Sequence, residues 1–169
     1  MKDAMFDGPS LKTIDHVSEL IRSLSQSPQF TLILATSNQT PRAHHVLKKL
    51  GLSQHFNDRV FGSDMTGGVK KPYPLIHRLA IGDDDPEKCL IIEDSPVGIQ
   101  AAKQAGAFVV HFSDPRFNQL NSKTHFEKAS ADMTVTDYRK FEDEVSKKWQ
   151  HWPLRQPEKL GSGLIKSTI

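Results

Sequence analysis

The sequence predicts an α/β fold of three layers, with a mainly parallel sheet between helices on its two faces. Three observations carry this. The runs at residues 30–35 and 89–92 are continuously apolar and β-branched, apart from Thr31, as in strands covered on both sides. Segments with apolar residues at helical spacing lie between such runs. The joining loops are short, and strand, helix, strand is the order that builds a parallel sheet through right-handed crossovers.

Residues 13–26 place Ile14, Val17, Leu20, Ile21 and Leu24 on one helical face, and Pro28 blocks continuation. The strand at 30–35 ends at Thr36-Ser37-Asn38. Thr40-Pro41 then caps a helix bearing Val46, Leu47 and Leu50, which Gly51 closes in the left-handed conformation. Val60-Phe61 reads as a short strand, Gly67-Gly68 as a flexible turn, and residues 74–81 as a helix with Leu75, Ile76 and Leu79 inward. The strand at 89–92 leads into a helix from Pro96 to about residue 104, and Gly106 ends it before a strand at 107–112. A last strand at 133–136 precedes a helix over 138–148. Trp149 and Trp152 read as residues that pack the end of this helix onto the body. From Pro153 onward periodicity is lost, and Pro157 with Gly161-Ser162-Gly163 predicts a mobile tail. The expected divisions are an N-terminal segment (1–11), a core domain (12–148) and a tail (149–169).

With 169 residues, one domain with its own core is expected. The formal net charge is +2, and Lys and Arg gather on no periodic face, which argues against a nucleic-acid partner. The lone cysteine, Cys89, excludes an intrachain disulfide framework and reads as a packing residue. No leader pattern and no apolar run near the length of a membrane span are present, so the chain is expected to be cytoplasmic, without a membrane partner.

The chemistry concentrates at three strand tips. Glu93 and Asp94 end the apolar run at 89–92, where ligands bind in open parallel sheets, and two hard oxygen donors there suit Mg²⁺. The competing reading is structural: Ser95-Pro96 fits the N-cap and first position of a helix. Thr36 stands at an earlier tip, and Lys71 precedes Pro72 ahead of a helix. A hydroxyl, an ammonium and a carboxylate pair are what a phosphoryl group and its metal need. Ser37 and Asn38 are close enough to share that task, and an Asx turn is the alternative for Asn38. Asp83-Asp84-Asp85 lacks the other ligands of a Ca²⁺ loop and reads as a turn.

These motifs resemble the haloacid dehalogenase superfamily in its phosphatase and phosphomutase branch. Leu34-Ala35-Thr36-Ser37 resembles the second motif of that family, Lys70-Lys71-Pro72-Tyr73-Pro74 the third, and Ile92-Glu93-Asp94-Ser95-Pro96-Val97-Gly98-Ile99 the fourth. The resemblance implies a Rossmann-like core in which Thr36 binds phosphate, Lys71 rather than Lys70 neutralises it, and Glu93 with Asp94 hold Mg²⁺. It also implies a small phosphorylated metabolite, a sugar or nucleoside phosphate, as the partner molecule.

One motif departs from the pattern. The nucleophile of the family is the first Asp of an Asp-x-Asp pair on the central strand. The nearest match, Ala4-Met5-Phe6-Asp7-Gly8, has one Asp, and Pro9 stands where the second belongs. Asp7 is thus the sole nucleophile candidate. A second alignment, which the spacing to Thr36 favours, makes it a turn residue and places residues 8–24 after the site of an absent cap domain. The resemblance then implies a phosphohydrolase in truncated form, without its nucleophile and with weakened Mg²⁺ binding. The alternative is an inactive domain that binds phosphate or a protein. A strand is expected to be missing between those ending at Thr36 and Asp94. Residues 1–6 or a partner would fill that slot, and left open it exposes strand edges suited to self-association.

Overall fold

The structure is a computed structural model that describes residues 11–114 and 129–153. Helix α1, Val17–Gln26, turns Val17, Leu20, Ile21 and Leu24 into the core. Strand β1, Leu34–Ala35, leads to α2, Thr40–Lys49, and then to β2, Val60–Phe61, which pairs parallel with β1. Helix α3, Leu75–Ile81, precedes β3, Leu90–Glu93, and α4, Pro96–Ala105. Strands β4, Phe108–Phe112, and β5, Met133–Val135, complete a parallel sheet of order β3-β4-β5. Helix α5, Phe141–Ser146, follows.

Strands β3 and β4 are buried on both faces, and their apolar side chains divide between two clusters. Leu90, Ile92 and Val110 face a cluster that includes α1 residues, Phe141, Val145, Trp149 and Trp152. Cys89, Ile91 and Val109 face another with Ile81, Ile99, Ala102 and Ala105 from α3 and α4. This is the layered α/β arrangement the sequence predicts, with helices on both sides of parallel strands. Phe112 stacks on Tyr138 with ring centroids 3.8 Å apart, and Phe30 packs against Trp152 at 5.1 Å. Cys89 is fully buried, and its Sγ donates to the Asp85 carbonyl at 3.4 Å. Among the described residues no helix is long and apolar enough to cross a membrane.

Several expectations are corrected. The strand expected over 30–35 is confined to Leu34–Ala35, because its ladder partner β2 is itself only two residues long. Leu32 and Ile33 are buried all the same. On α3 the buried face is Ile76, His77, Ala80 and Ile81, whereas Leu79 faces solvent. The expected stripe of Leu75, Ile76 and Leu79 is therefore rotated, and a histidine takes an inward place. Thr40 belongs to the first turn of α2 and does not cap it: Asp64 Oδ1 accepts from the Thr40 amide at 2.6 Å and from its hydroxyl at 2.9 Å. The helix over 138–148 opens as a 3₁₀ turn at Tyr138–Lys140 and continues only to Ser146. Asp85, in the acidic triplet, accepts from the Glu87 amide at 3.1 Å and caps a short turn, as a turn reading requires.

Among the described residues, β1 pairs with β2 and β3 with β4, and no ladder joins the two sheets. Residues 1–6, expected to fill a slot between them, lie outside the described residues, as does Asp7.

Candidate functional site

The loops after β1 and β3 meet at one place: Ser37 shares a cavity with Lys71 and Val97, and Lys71 bonds Glu93 at the end of β3. At the β1 tip the Thr36 amide donates to the Phe61 carbonyl at 2.9 Å. The Thr36 Oγ1 accepts from the Asn38 amide at 3.2 Å and from Asn38 Nδ2 at 3.5 Å. Asn38 is thus turned by Thr36 rather than by an Asx turn of its own. Its carbonyl accepts from the Ser63 amide at 2.8 Å, which ties the β1 tip to the segment after β2.

Behind that segment a cavity of about 420 Å³ is lined by Ser37, Ser63, Thr66, Lys70 and Lys71, with Val69, Ile76 and Val97 completing its wall. Ser37 and Lys71 therefore share one cavity. Thr36 and Asn38 border a different one, of about 250 Å³, walled chiefly by apolar side chains of α1 and α2. The Thr66 hydroxyl donates to the Ser63 carbonyl at 2.8 Å, while Lys70 is exposed.

The carboxylates at the tip of β3 part company. Glu93 is buried, 6% exposed, and its Oε1 receives a hydrogen bond from Lys71 Nζ. His77 Nε2 lies 3.2 Å from the same oxygen, within ion-pair distance but at an angle outside a hydrogen bond. Gly98 of α4 closes the other side: a Cβ there would overlap Glu93 Oε2 and Cδ and stand 2.8 Å from Ser95 Oγ. Asp94 instead opens to solvent. Ser95 accepts from the Gly98 amide at 3.2 Å and Pro96 follows it, so the helix-capping reading of this pair is realised beside the carboxylates.

The electrostatics follow from burial and neighbours. Burial works against ionised Glu93, but nearby His77 and the Lys71 charge outweigh it and hold the carboxyl below its ordinary range. Burial pushes the His77 imidazole down, although Glu93 works the other way. Asp94 is pushed up, first by partial desolvation and then by the Glu93 charge.

The donors fit a hard cation only in part. Asp94 is an open oxygen ligand of the kind Mg²⁺ takes alongside water and phosphate oxygens. Glu93 is committed to Lys71, and among the described residues no cluster of three or more His, Cys, Asp or Glu side chains is arranged for a metal ion. His77 escaped the sequence reading, although a histidine one residue from Ile76 and three from Ala80 sits on the same helical stripe.

A model of haloacid dehalogenase-like hydrolases matches residues 4–106, more than half of the 169. The chain is 39% identical over 83 residues to a phosphorylated carbohydrates phosphatase of Thermotoga maritima, covering 48% of this chain and 38% of that protein. It is 31% identical over 107 residues to a validoxylamine A 7'-phosphate phosphatase of Streptomyces hygroscopicus subsp. limoneus, covering 63% of this chain and 50% of that one. The chain thus spans half or less of the length of these two relatives. The crystal structure of a HAD family hydrolase from Deinococcus radiodurans R1, with bound phosphate and sodium, superposes with a TM-score of 0.69 at 22% identity. That match covers 80% of this chain and 59% of the other, and shows a shared fold.

Proposed function

The chain belongs to the haloacid dehalogenase-like hydrolases, and from that premise we propose that its crevice holds the phosphate of a small phosphomonoester for Mg²⁺-assisted hydrolysis. The observation that carries this reading is the cavity shared by Ser37 and Lys71, with Lys71 anchored on buried Glu93. An ammonium fixed in place offsets phosphate charge without reorganising when the ligand arrives. The Ser37 hydroxyl supplies a donor to a phosphoryl oxygen, whereas Thr36, which borders the other cavity, holds the β1 tip in shape by accepting from Asn38. Asp94 is the residue that would hold Mg²⁺, which supplies charge neutralisation on phosphate oxygens when bound. The two curated relatives act, by their names, on a phosphorylated carbohydrate and a validoxylamine phosphate, which supports a sugar-like phosphate as the substrate.

A second reading has its own observation: among the described residues no Asp or Glu lines the 420 Å³ cavity, so its wall would bind phosphate without supplying a carboxylate nucleophile. Turnover of p-nitrophenyl phosphate with Mg²⁺ separates the two. Hydrolysis that disappears in Lys71→Ala supports the enzyme. Inorganic phosphate bound in calorimetry without turnover supports a binding domain, and neither binding nor turnover refutes the crevice assignment.

A further inference from the structure

His77 is fully buried, and among the described residues neither of its ring nitrogens has a hydrogen-bond partner. Burying an imidazole in this way is unfavourable unless an electrostatic contact offsets it. Two groups face the ring: the backbone of Gly98, and Glu93, whose Oε1 lies 3.2 Å from Nε2 and also receives the Lys71 hydrogen bond. The Glu93 carboxylate is boxed from three directions, by Lys71 and His77 at Oε1 and by the bare Cα of Gly98 at Oε2. Its alternative is to swing outward to the side where Asp94 meets solvent. A phenylalanine in place of His77 would fill similar space but present no polar hydrogen to Oε1, leaving Lys71 alone to hold a buried charge.

We infer that His77 is a positioning residue: it keeps Glu93 turned inward on Lys71, so that the crevice offers a fixed ammonium and a single open carboxylate, Asp94. The consequence for ligands rests on the phosphate reading above; the positioning itself does not. His77 touches no phosphate, and its effect passes through Glu93.

Lysine acetylation of the full chain, followed peptide by peptide by mass spectrometry, reads the arrangement directly. Lys71 is only 11% exposed while Lys147 is 67% exposed, so the second is an internal reference. In His77→Phe, Lys71 should react several-fold faster relative to Lys147, and in His77→Gln, whose amide N–H reaches toward the same oxygen, it should return toward wild type. Inorganic phosphate affinity, by calorimetry, should fall about tenfold in His77→Phe and recover in His77→Gln. A histidine that merely fills space predicts unchanged Lys71 reactivity in His77→Phe, and that result overturns the inference. A readout without any change at residue 77 is the His77 ring ¹⁵N signal, which Glu93→Gln should shift; an unmoved signal also overturns it. If wild-type chain binds no phosphate yet Lys71 reactivity changes as stated, the phosphate reading fails and the positioning stands.

Discussion

Replacing Gly98 with alanine sets two opposing effects against each other. Alanine is favoured over glycine in a helix by about 1 kcal/mol, and Gly98 lies inside α4. The new Cβ, however, would fall well inside 3.0 Å of Glu93 Oε2 and Cδ. Such a clash is cheap when a flexible side chain can swing away, but Glu93 is 6% exposed and held by Lys71. Its carboxylate would have to retreat by about 1 Å or more, which detaches it from its partner. Breaking a buried ion pair costs about 3–5 kcal/mol, so the helix gain loses and the net destabilisation is about 2–4 kcal/mol. Thermal unfolding followed by circular dichroism should show a Tm lower by roughly 5–15 °C. In a Glu93→Ala background the same substitution should cost far less, because only Ser95 Oγ, at 2.8 Å, then stands in its way, and the pair makes a double-mutant cycle. A Gly98→Ala variant as stable as wild type, or more so, would refute the inward, fixed position of Glu93.

Other substitutions test other joints of the structure. Lys71→Ala leaves Glu93 buried without its cation and should lower stability by about 3–5 kcal/mol in urea unfolding, with Lys71→Ala/Glu93→Ala less affected than the single change. Phe141, fully buried between Tyr138 and Trp152, should lose about 3–5 kcal/mol on truncation to alanine, measured the same way. Arg139 beside Asp137 depresses that carboxyl to about 2, so the pair contributes stability above the ordinary carboxylate pKa that is lost as pH falls toward 2. Asp137→Asn should therefore flatten the acid limb of stability against pH. Tyr138 is pushed up by burial and by the charges of Asp94 and Asp114, so its contribution is complete below pH 10 and declines above it. Tyr138→Phe should remove that alkaline decline.

The layered fold was legible because each strand and helix carried its own period. Continuous apolar residues marked β3, and glycines at the ends of α2 and α4 marked stops that Gly51 and Gly106 realise at φ 67° and 91°. The extent of β1 was not legible, since a ladder needs a partner and β2 offers two residues. The cap of α2 was equally hidden: Asp64 reaches Thr40 from 24 positions away, and no local pattern encodes that. At the site the sequence grouped Thr36, Lys71 and the Glu93-Asp94 pair; Lys71 does meet Glu93, but Thr36 borders a different cavity, and spacing could not divide the two carboxylates. Adjacent strand residues point to opposite faces, and which carboxylate turned inward depended on His77 and Gly98, drawn from two helices. Leu79 and His77 show the limit most clearly, since a seven-residue helix with apolar residues on both sides has no unique stripe.

The central claim is that Ser37 and Lys71 form one phosphate-binding crevice, and titration of inorganic phosphate into ¹⁵N-labelled chain, read residue by residue by NMR, tests it most directly. Saturable shifts are expected at Ser37, Ser63 and Lys71, with those of the Lys103–Asp132 pair, which lines no part of that cavity, unmoved, and loss of the shifts in Lys71→Ala. Saturable shifts centred elsewhere, or shifts that persist undiminished in Lys71→Ala, would contradict it.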